Sequence, residues 1–471
     1  MTIHESELDA SKPSNTKLGT GLKGHQITMI SIGGVIGAGL FVGSSSAIAV
    51  AGPAVLISYI CAAIIVVLVM QMLGEMATAK PDTGSFSSYA DQAIGRWSGF
   101  TIGWLYWWFY LLVIVIEAIV AGSILSSFVP LPAWLCATII TLALMLTNCL
   151  NVKNFGQLEY WLAFIKVASI VLFIIIGLCA IFGLMPQSSV SGIHSLFDHG
   201  GFMPNGWVSI VSGLLIAMFS FQGSEIVTIA AAESKEPSKN IKKAIRAVVW
   251  RLGLFYIGSM FVVVALIPWN SPDLHVGSYQ AVLSAMNIPG AAGIMQFIVL
   301  VAVTSCLNSA IYTASRMCYS LAKRSDAPQK LSETTSQGVP LNSIVLTTFV
   351  SFIVLAVNYL APKHFFDYLL STSGAIAMLM YMLIAVTQLF MRKKLLAEGK
   401  PLEVKMWLFP YLTYATIFFI LGIMVIMAIF PDYRWQLIST VIMTVILAAF
   451  GFYLQKSQPE ISHKRLHGIK D

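Results

Sequence analysis

Apolar residues run for long stretches along most of this chain, and the runs are cut by short clusters of charge or of Pro and Gly. A helix of about 20 apolar residues crosses roughly 30 Å of hydrocarbon, so each run suffices for one crossing. The pattern predicts twelve spans, near 27–49, 54–79, 99–127, 133–152, 159–184, 207–232, 247–268, 290–322, 341–360, 365–390, 407–430 and 435–455. Runs of this kind are not the alternating ten-residue strands of a membrane β-barrel. The expected fold class is an all-α polytopic membrane protein. Between spans two and three, residues 80–98 are amphipathic and predict a segment lying along the interface.

Composition narrows the function. Of 471 residues, 57% are hydrophobic and 10% are charged. A water-facing surface needs about 25% charged residues, which excludes a soluble enzyme, a secreted disulfide scaffold and a disordered regulator. No polar stretch is long enough to fold a soluble catalytic domain. The six cysteines lie in apolar segments without a C-x-x-C pair, so they read as packing thiols rather than a disulfide frame or a metal site.

The formal charge of +7 is a matter of placement. With the N-terminus inside, 25 of the 28 lysines and arginines fall on the inner side, Lys363 and Arg434 fall outside, and Lys166 lies within a span. The positive-inside rule then puts both termini in the cytoplasm and requires an even number of spans. The basic balance is a topology signal, and no nucleic-acid partner is expected. Residues 1–26 lack a signal-peptide pattern, so the first span reads as uncleaved.

Spans one and six each open a block of five and each carry a glycine-containing interruption. Because five is odd, the second block enters the membrane from the opposite side. Paired interrupted helices in two inverted halves point to the midplane site of a secondary transporter. The expected organisation is a tail (1–26), a first repeat (27–184), an outer loop (185–206), a second repeat (207–390), a loop with two further helices (391–455) and a second tail (456–471).

The first interruption holds Gly33, Gly34, Gly37 and Gly39 within seven residues. Each glycine costs a helix about 1 kcal/mol relative to alanine. Two uses fit: unwinding, which turns freed N–H groups toward a carboxylate, or close helix packing. The second interruption gathers Ser220, Gln222, Gly223, Ser224 and Glu225 in an otherwise apolar run. An ionised carboxylate near the midplane costs about 2.5–3.5 kcal/mol, so Glu225 is expected to face a cavity, pair with a cation or hold a proton.

Glu117 lies within span three, Lys166 in span five and Glu75 near the inner end of span two. Loss of water disfavours the charged form of both carboxyl and ammonium groups, which makes Lys166, Glu117 and Glu225 candidate proton carriers. Glu75 is placed to snorkel or to meet a loop cation. In span eight, Ser305, Ser309, Tyr312 and Arg316 share a face beside Cys306. That stripe either lines a pathway or joins helices through hydrogen bonds. The aromatic run Trp104 to Tyr110 reads as interfacial belt and core. The histidines make no ligand pair, and no Walker lysine motif supports ATP-driven pumping.

These residues carry a resemblance. Ser31-Ile32-Gly33-Gly34-Val35-Ile36-Gly37-Ala38-Gly39-Leu40-Phe41-Val42-Gly43, Pro81 to Phe86, Gly201 to Gly206, and Phe219 to Glu225 followed by Ala230-Ala231-Ala232-Glu233 resemble bacterial amino acid permeases of the amino acid–polyamine–organocation superfamily. Phe100 to Phe109, Val303 to Arg316 and Ser373 to Ala377 are similar to γ-aminobutyrate permeases, although permeases for aromatic amino acids and proline share much of this.

The resemblance implies a five-plus-five inverted repeat of the leucine-transporter type with two extra helices. It assigns the substrate carboxylate to Ile36, Gly37, Ala38 and Gly39, and the amine to Phe219, Ser220 and Gln222, with Gly223 beside them. Glu225 resembles an acidic gating or proton-coupling position. Lys166 resembles a lysine standing where sodium binds in sodium-driven relatives, which favours protons. Glu117 matches nearer permeases only.

The expected function is secondary active import of a small zwitterionic amino acid, γ-aminobutyrate, by proton symport across a bacterial inner membrane. The proton gradient serves as energy source, and no cofactor is expected. An aromatic amino acid or proline permease, an amino acid exchanger and a non-translocating sensor are the alternatives. Lys166→Ala is expected to abolish concentrative uptake at unchanged expression, and wild-type accumulation of labelled substrate by that variant removes Lys166 from coupling.

Overall fold

In the computed structural model, residues 36–80, 85–149, 152–225, 237–360 and 365–459 are described. The first tail, Ser31 to Val35, Pro81 to Gly84, Ala230 to Glu233 and residues 460–471 of the second tail lie outside the described residues. Among the described residues the regular elements are helical, and nine stretches are long and apolar enough to cross a membrane. Ala133–Cys149 and Ser209–Ser220 are shorter apolar helices. One of the nine, Gly39–Ala79, holds two predicted spans, because Gly52 at φ +63° turns the chain into the 3₁₀ turn Gly52–Ala54. With that stretch divided, a helix falls within the described part of each predicted span; residues 27–35 of the first span and 226–232 of the sixth lie outside the described residues.

The helices are α1 (Ser44–Ala51, entered through a π turn Gly39–Gly43), α2 (Val55–Ala79), α3 (Ser85–Ala93), α4 (Arg96–Ser126), α5 (Ala133–Cys149), α6 (Val152–Ile181) and α7 (Ser209–Ser220). Then come α8 (Pro237–Arg251), a π turn Leu252–Gly258, α9 (Ser259–Leu266), α10 (Ser278–Ala285), α11 (Ala291–Lys323), α12 (Leu341–Leu360), α13 (Phe365–Ala397), α14 (Tyr411–Ile429) and α15 (Pro431–Ser457). The amphipathic stretch is α3, which Gly95 at φ +141° joins to α4.

Two helices begin earlier than hydropathy indicates. The sixth starts at Val152 instead of 159, and the leg through α8 starts at Pro237 instead of 247. In α8, Ile241, Ile245 and Val248 are buried while Lys242, Lys243 and Arg246 are exposed. That three-and-four spacing is a helix with one wet face, which an apolar window ends too soon.

α4 sits at the centre, against α3, α5, α11, α12, α13 and α15, and α7 packs on α1, α2 and α13. Gly374 of α13 touches the Leu215 carbonyl of α7 with no room for a Cβ. The apolar windows of α4 and α13 are 72% and 78% buried, those of α14 and α15 only 28% and 11%. Phe418, Ile429, Val445 and Phe450 point outward from these last two helices, a surface suited to hydrocarbon.

Buried ion pairs tie the lysine-rich end together. Arg96 Nε donates to Asp326 Oδ1 at 3.0 Å, and its Nη atoms reach Gln458 Oε1 at 2.8 Å and the Ser325 carbonyl at 2.9 Å. Glu75 meets a cation rather than snorkelling: it accepts from Arg392 Nη1 at 3.0 Å, from Gln388 Nε2 at 2.7 Å and from the Met406 N–H at 2.6 Å. Removing one partner of a buried pair costs about 3–5 kcal/mol. Glu75→Ala is therefore expected to lower the thermal midpoint of the detergent-solubilised protein markedly. Glu398→Ala, which removes a surface pair with Lys400 worth about 0–1 kcal/mol, is expected to leave it in place.

Candidate substrate site

Of the first predicted interruption, the residues from Ile36 onward are described, and Gly33 and Gly34 are not. Ile36 and Gly37 are not helical, and the winding closes when the Gly37 carbonyl accepts from the Leu40 N–H at 3.2 Å. A helix start leaves its first N–H groups without intrahelical partners. Here the Ala38 N–H donates to both carboxylate oxygens of Glu117, each at 3.0 Å. Glu117 of α4 is 1% exposed, so a buried carboxyl group sits at the positive end of this helix start. The group that the resemblance assigns to a substrate carboxylate is held by one of the protein's own.

Glycine serves both uses left open by the sequence, the break and the close approach. A Cβ on Gly37 would press on Glu117 Oε1 and stand 2.7 Å from Cys306 Cβ and Sγ. A Cβ on Gly39 would stand 2.7 Å from Ser220 Cα, and the Gly39 carbonyl accepts from Ser220 Oγ at 2.8 Å. The two interrupted helices thus touch at Gly39 and Ser220, with Phe219 beside them.

The second break follows α7. Phe221 to Gly223 form a turn, with Gly223 at φ +83°, a conformation that strains residues bearing a Cβ. Gln222 is 6% exposed, and neither amide atom has a hydrogen-bond partner among the described residues. Buried polar groups left so are uncommon and cost about 1–3 kcal/mol each. Phe221 lies between Tyr59 and Tyr256, at ring separations of 5.5 and 4.8 Å, and both tyrosine hydroxyls likewise lack partners.

The ionisable residues fall into two groups. Glu225 accepts from the Gly223 N–H at 3.2 Å, Tyr106 Oη at 3.2 Å and Tyr381 Oη at 3.3 Å, while Arg251 donates to the neighbouring Ser224 hydroxyl. Lys166, fully buried on α6, interacts instead with Glu159, Cys306 and Glu117. On α11, Ser305 donates to Glu159, and Asn308 Oδ1 accepts from Asn148 Nδ2 of α5 at 2.7 Å. Ser309 and Tyr312 are partly open, and the Arg316 guanidinium lies 3.3 Å over the Tyr312 ring.

Sequence reasoning missed Glu159, taken as the edge of a span, although it precedes Lys166 by seven residues and so shares its helix face. Tyr106 was absorbed into the aromatic run, and Tyr381 carried no signal. Arg251, counted among the inner-side charges, is buried at the end of α8.

The sequence model described as "Amino acid permease" matches residues 26–461. This chain belongs to the amino acid permease family. Among its relatives, the γ-aminobutyric acid permease of Escherichia coli is 55% identical over 431 residues, covering 91% of this chain and 92% of the relative. A probable GABA permease of Pseudomonas aeruginosa is 52% identical over 95% of both chains. An aromatic amino acid transport protein of Corynebacterium glutamicum is 41% identical over 93% of this chain and 96% of the relative. A solved Eremococcus coleocola manganese transporter superposes with a TM-score of 0.56 at 14% identity, covering 96% of this chain and 98% of that one. The permease therefore has the polytopic, leucine-transporter-type fold of a carrier, and its family transports rather than catalyses.

Overpacking at a close helix contact costs about 1–3 kcal/mol. Gly37→Ala in this permease is expected to weaken binding of labelled substrate about tenfold or more, because the new methyl group displaces Glu117. Gly422→Ala, which meets nothing within 4 Å, is the matched control and should bind as wild type.

Proposed function

We propose that this permease imports a small zwitterionic amino acid, γ-aminobutyrate, by proton symport across the bacterial inner membrane, with both termini in the cytoplasm. The observation that carries the reading is the Ala38 N–H held by Glu117 where two interrupted helices meet. A substrate carboxylate arriving at that helix start meets Glu117. Two carboxylates at one site repel unless one takes a proton. Protonation of Glu117 releases the N–H to the substrate, so substrate and proton bind together.

The amine end then falls to the second turn, where the Gln222 amide has no hydrogen-bond partner among the described residues. Lys166, near Glu117, takes up the proton as the substrate leaves. Binding energy that differs between outward-open and inward-open states drives the exchange between them.

Relatives named for γ-aminobutyrate at 52–55% identity, against 41% for one named for aromatic amino acids, support the choice of substrate. The test is uptake of labelled γ-aminobutyrate into proteoliposomes under an imposed pH gradient with sodium absent. Accumulation abolished by a protonophore, and competed by γ-aminobutyrate but not by phenylalanine or proline, is expected. No accumulation without sodium overturns proton symport, and stronger competition by phenylalanine or proline overturns the substrate.

A further inference from the structure

The buried cluster around Lys166 holds one cation and two carboxylates. Glu117 caps Ala38, Glu159 accepts from Ser305, and all three side chains are within 1% of full burial. A single ammonium cannot offset both carboxylates in a low-dielectric interior, so the cluster favours one further proton, shared between its two ends. Glu117 has a main-chain donor that holds its ionised form. Glu159 has the Ser305 hydroxyl on one oxygen, and its Oε2 has no hydrogen-bond partner among the described residues.

Placement along the helix gives the cluster a direction. Seven residues separate Glu159 from Lys166, about 10 Å of rise at nearly the same angular position. Glu159 is the nearer of the two to the lysine-rich end. From Ser305 the same face of α11 continues through Ser309, Tyr312 and Arg316, and burial gives way there to partial exposure.

We propose that Glu159 receives the proton from Lys166 and hands it to water at the lysine-rich end along this face of α11. The proposal rests on the proton-symport reading above. In the step itself the Lys166 ammonium gives a proton to the Glu159 carboxylate, leaving a neutral amine and a carboxylic acid. The Glu117 carboxylic acid then reprotonates the amine and returns as the carboxylate that caps Ala38. The Glu159 acid releases its proton to water, so one proton crosses the cluster and no electron moves.

The other titratable groups facing the pair, element by element, are few. α11 brings Cys306 and, further toward the lysine-rich end, Tyr312 with the Arg316 guanidinium over its ring; α4 brings Glu117, α5 has only Cys136 and Cys149, the π turn brings Tyr256, and α9 has none. No second cation comes from these elements at the depth of Glu159.

The test uses the full chain in proteoliposomes with a pH-sensitive dye inside, and compares wild type, Glu159→Gln, Glu159→Asp and Ser305→Ala. For wild type, γ-aminobutyrate is expected to accumulate under a pH gradient and to acidify the lumen. Glu159→Gln is expected to lose gradient-driven accumulation about tenfold or more, together with lumen acidification, while γ-aminobutyrate exchange without a gradient persists. Glu159→Asp should restore part of the accumulation. Ser305→Ala should shift the pH profile of accumulation with the exchange KM unchanged.

Wild-type exchange without gradient-driven accumulation sinks the symport reading itself. With wild type coupled, a Glu159→Gln variant that accumulates normally overturns the role of Glu159. So does one that loses exchange and accumulation in equal measure, since that marks a structural part. Where Glu159→Gln fails to fold, an unshifted pH profile in both Glu159→Asp and Ser305→Ala overturns it equally.

Discussion

A helix that begins within a packed interior exposes N–H groups that need a partner there, and the rest of this site is arranged around that constraint. The Ala38 N–H finds its partner on Glu117, and three consequences follow. α4 must carry a carboxylate deep within the bundle. Residue 37 must have no Cβ, because Glu117 and Cys306 occupy that space. The α7 side must stay small at Ser220, where Gly39 approaches.

The second carboxylate has a different setting. Glu225 accepts from one main-chain N–H and two tyrosine hydroxyls drawn from α4 and α13. Those donors come from three parts of the bundle, so the contact pins the second break to the central scaffold. Arg251 reinforces it by donating to Ser224 from the end of α8, just before the π turn. The first helix start is thus held by Glu117 of α4 and Ser220 of α7, and the second turn by a set drawn from α4, α8 and α13. α14 and α15, with mostly lipid-facing surfaces, take part in neither.

The superposition with a manganese transporter at 14% identity separates scaffold from cargo. A fold shared at that distance does not define what is carried. Where α1 and α7 meet, this chain sets a carboxyl group on a helix start, a glutamine amide without a partner among the described residues, and tyrosines on either side of Phe221.

The amino-acid sequence by itself determined the class of fold, the apolar legs, the weakness of helix at Gly37 and Gly223 and the buried positions of Glu117, Lys166 and Glu225. Each of these follows from local chemistry: transfer free energy accumulates over a run of neighbours, and a glycine weakens a helix wherever it stands. Only the tertiary structure decided which buried charges meet. Glu117 and Ala38 are 79 positions apart, Glu159 and Ser305 146, and Tyr381 and Glu225 156, so no periodicity along the chain links them. The early start of α6 at Val152 likewise turned Glu159 from an edge residue into an interior one; the polar residues Lys153, Asn154 and Gln157 lower the hydropathy of that turn, so an apolar run along the chain does not mark it as helix.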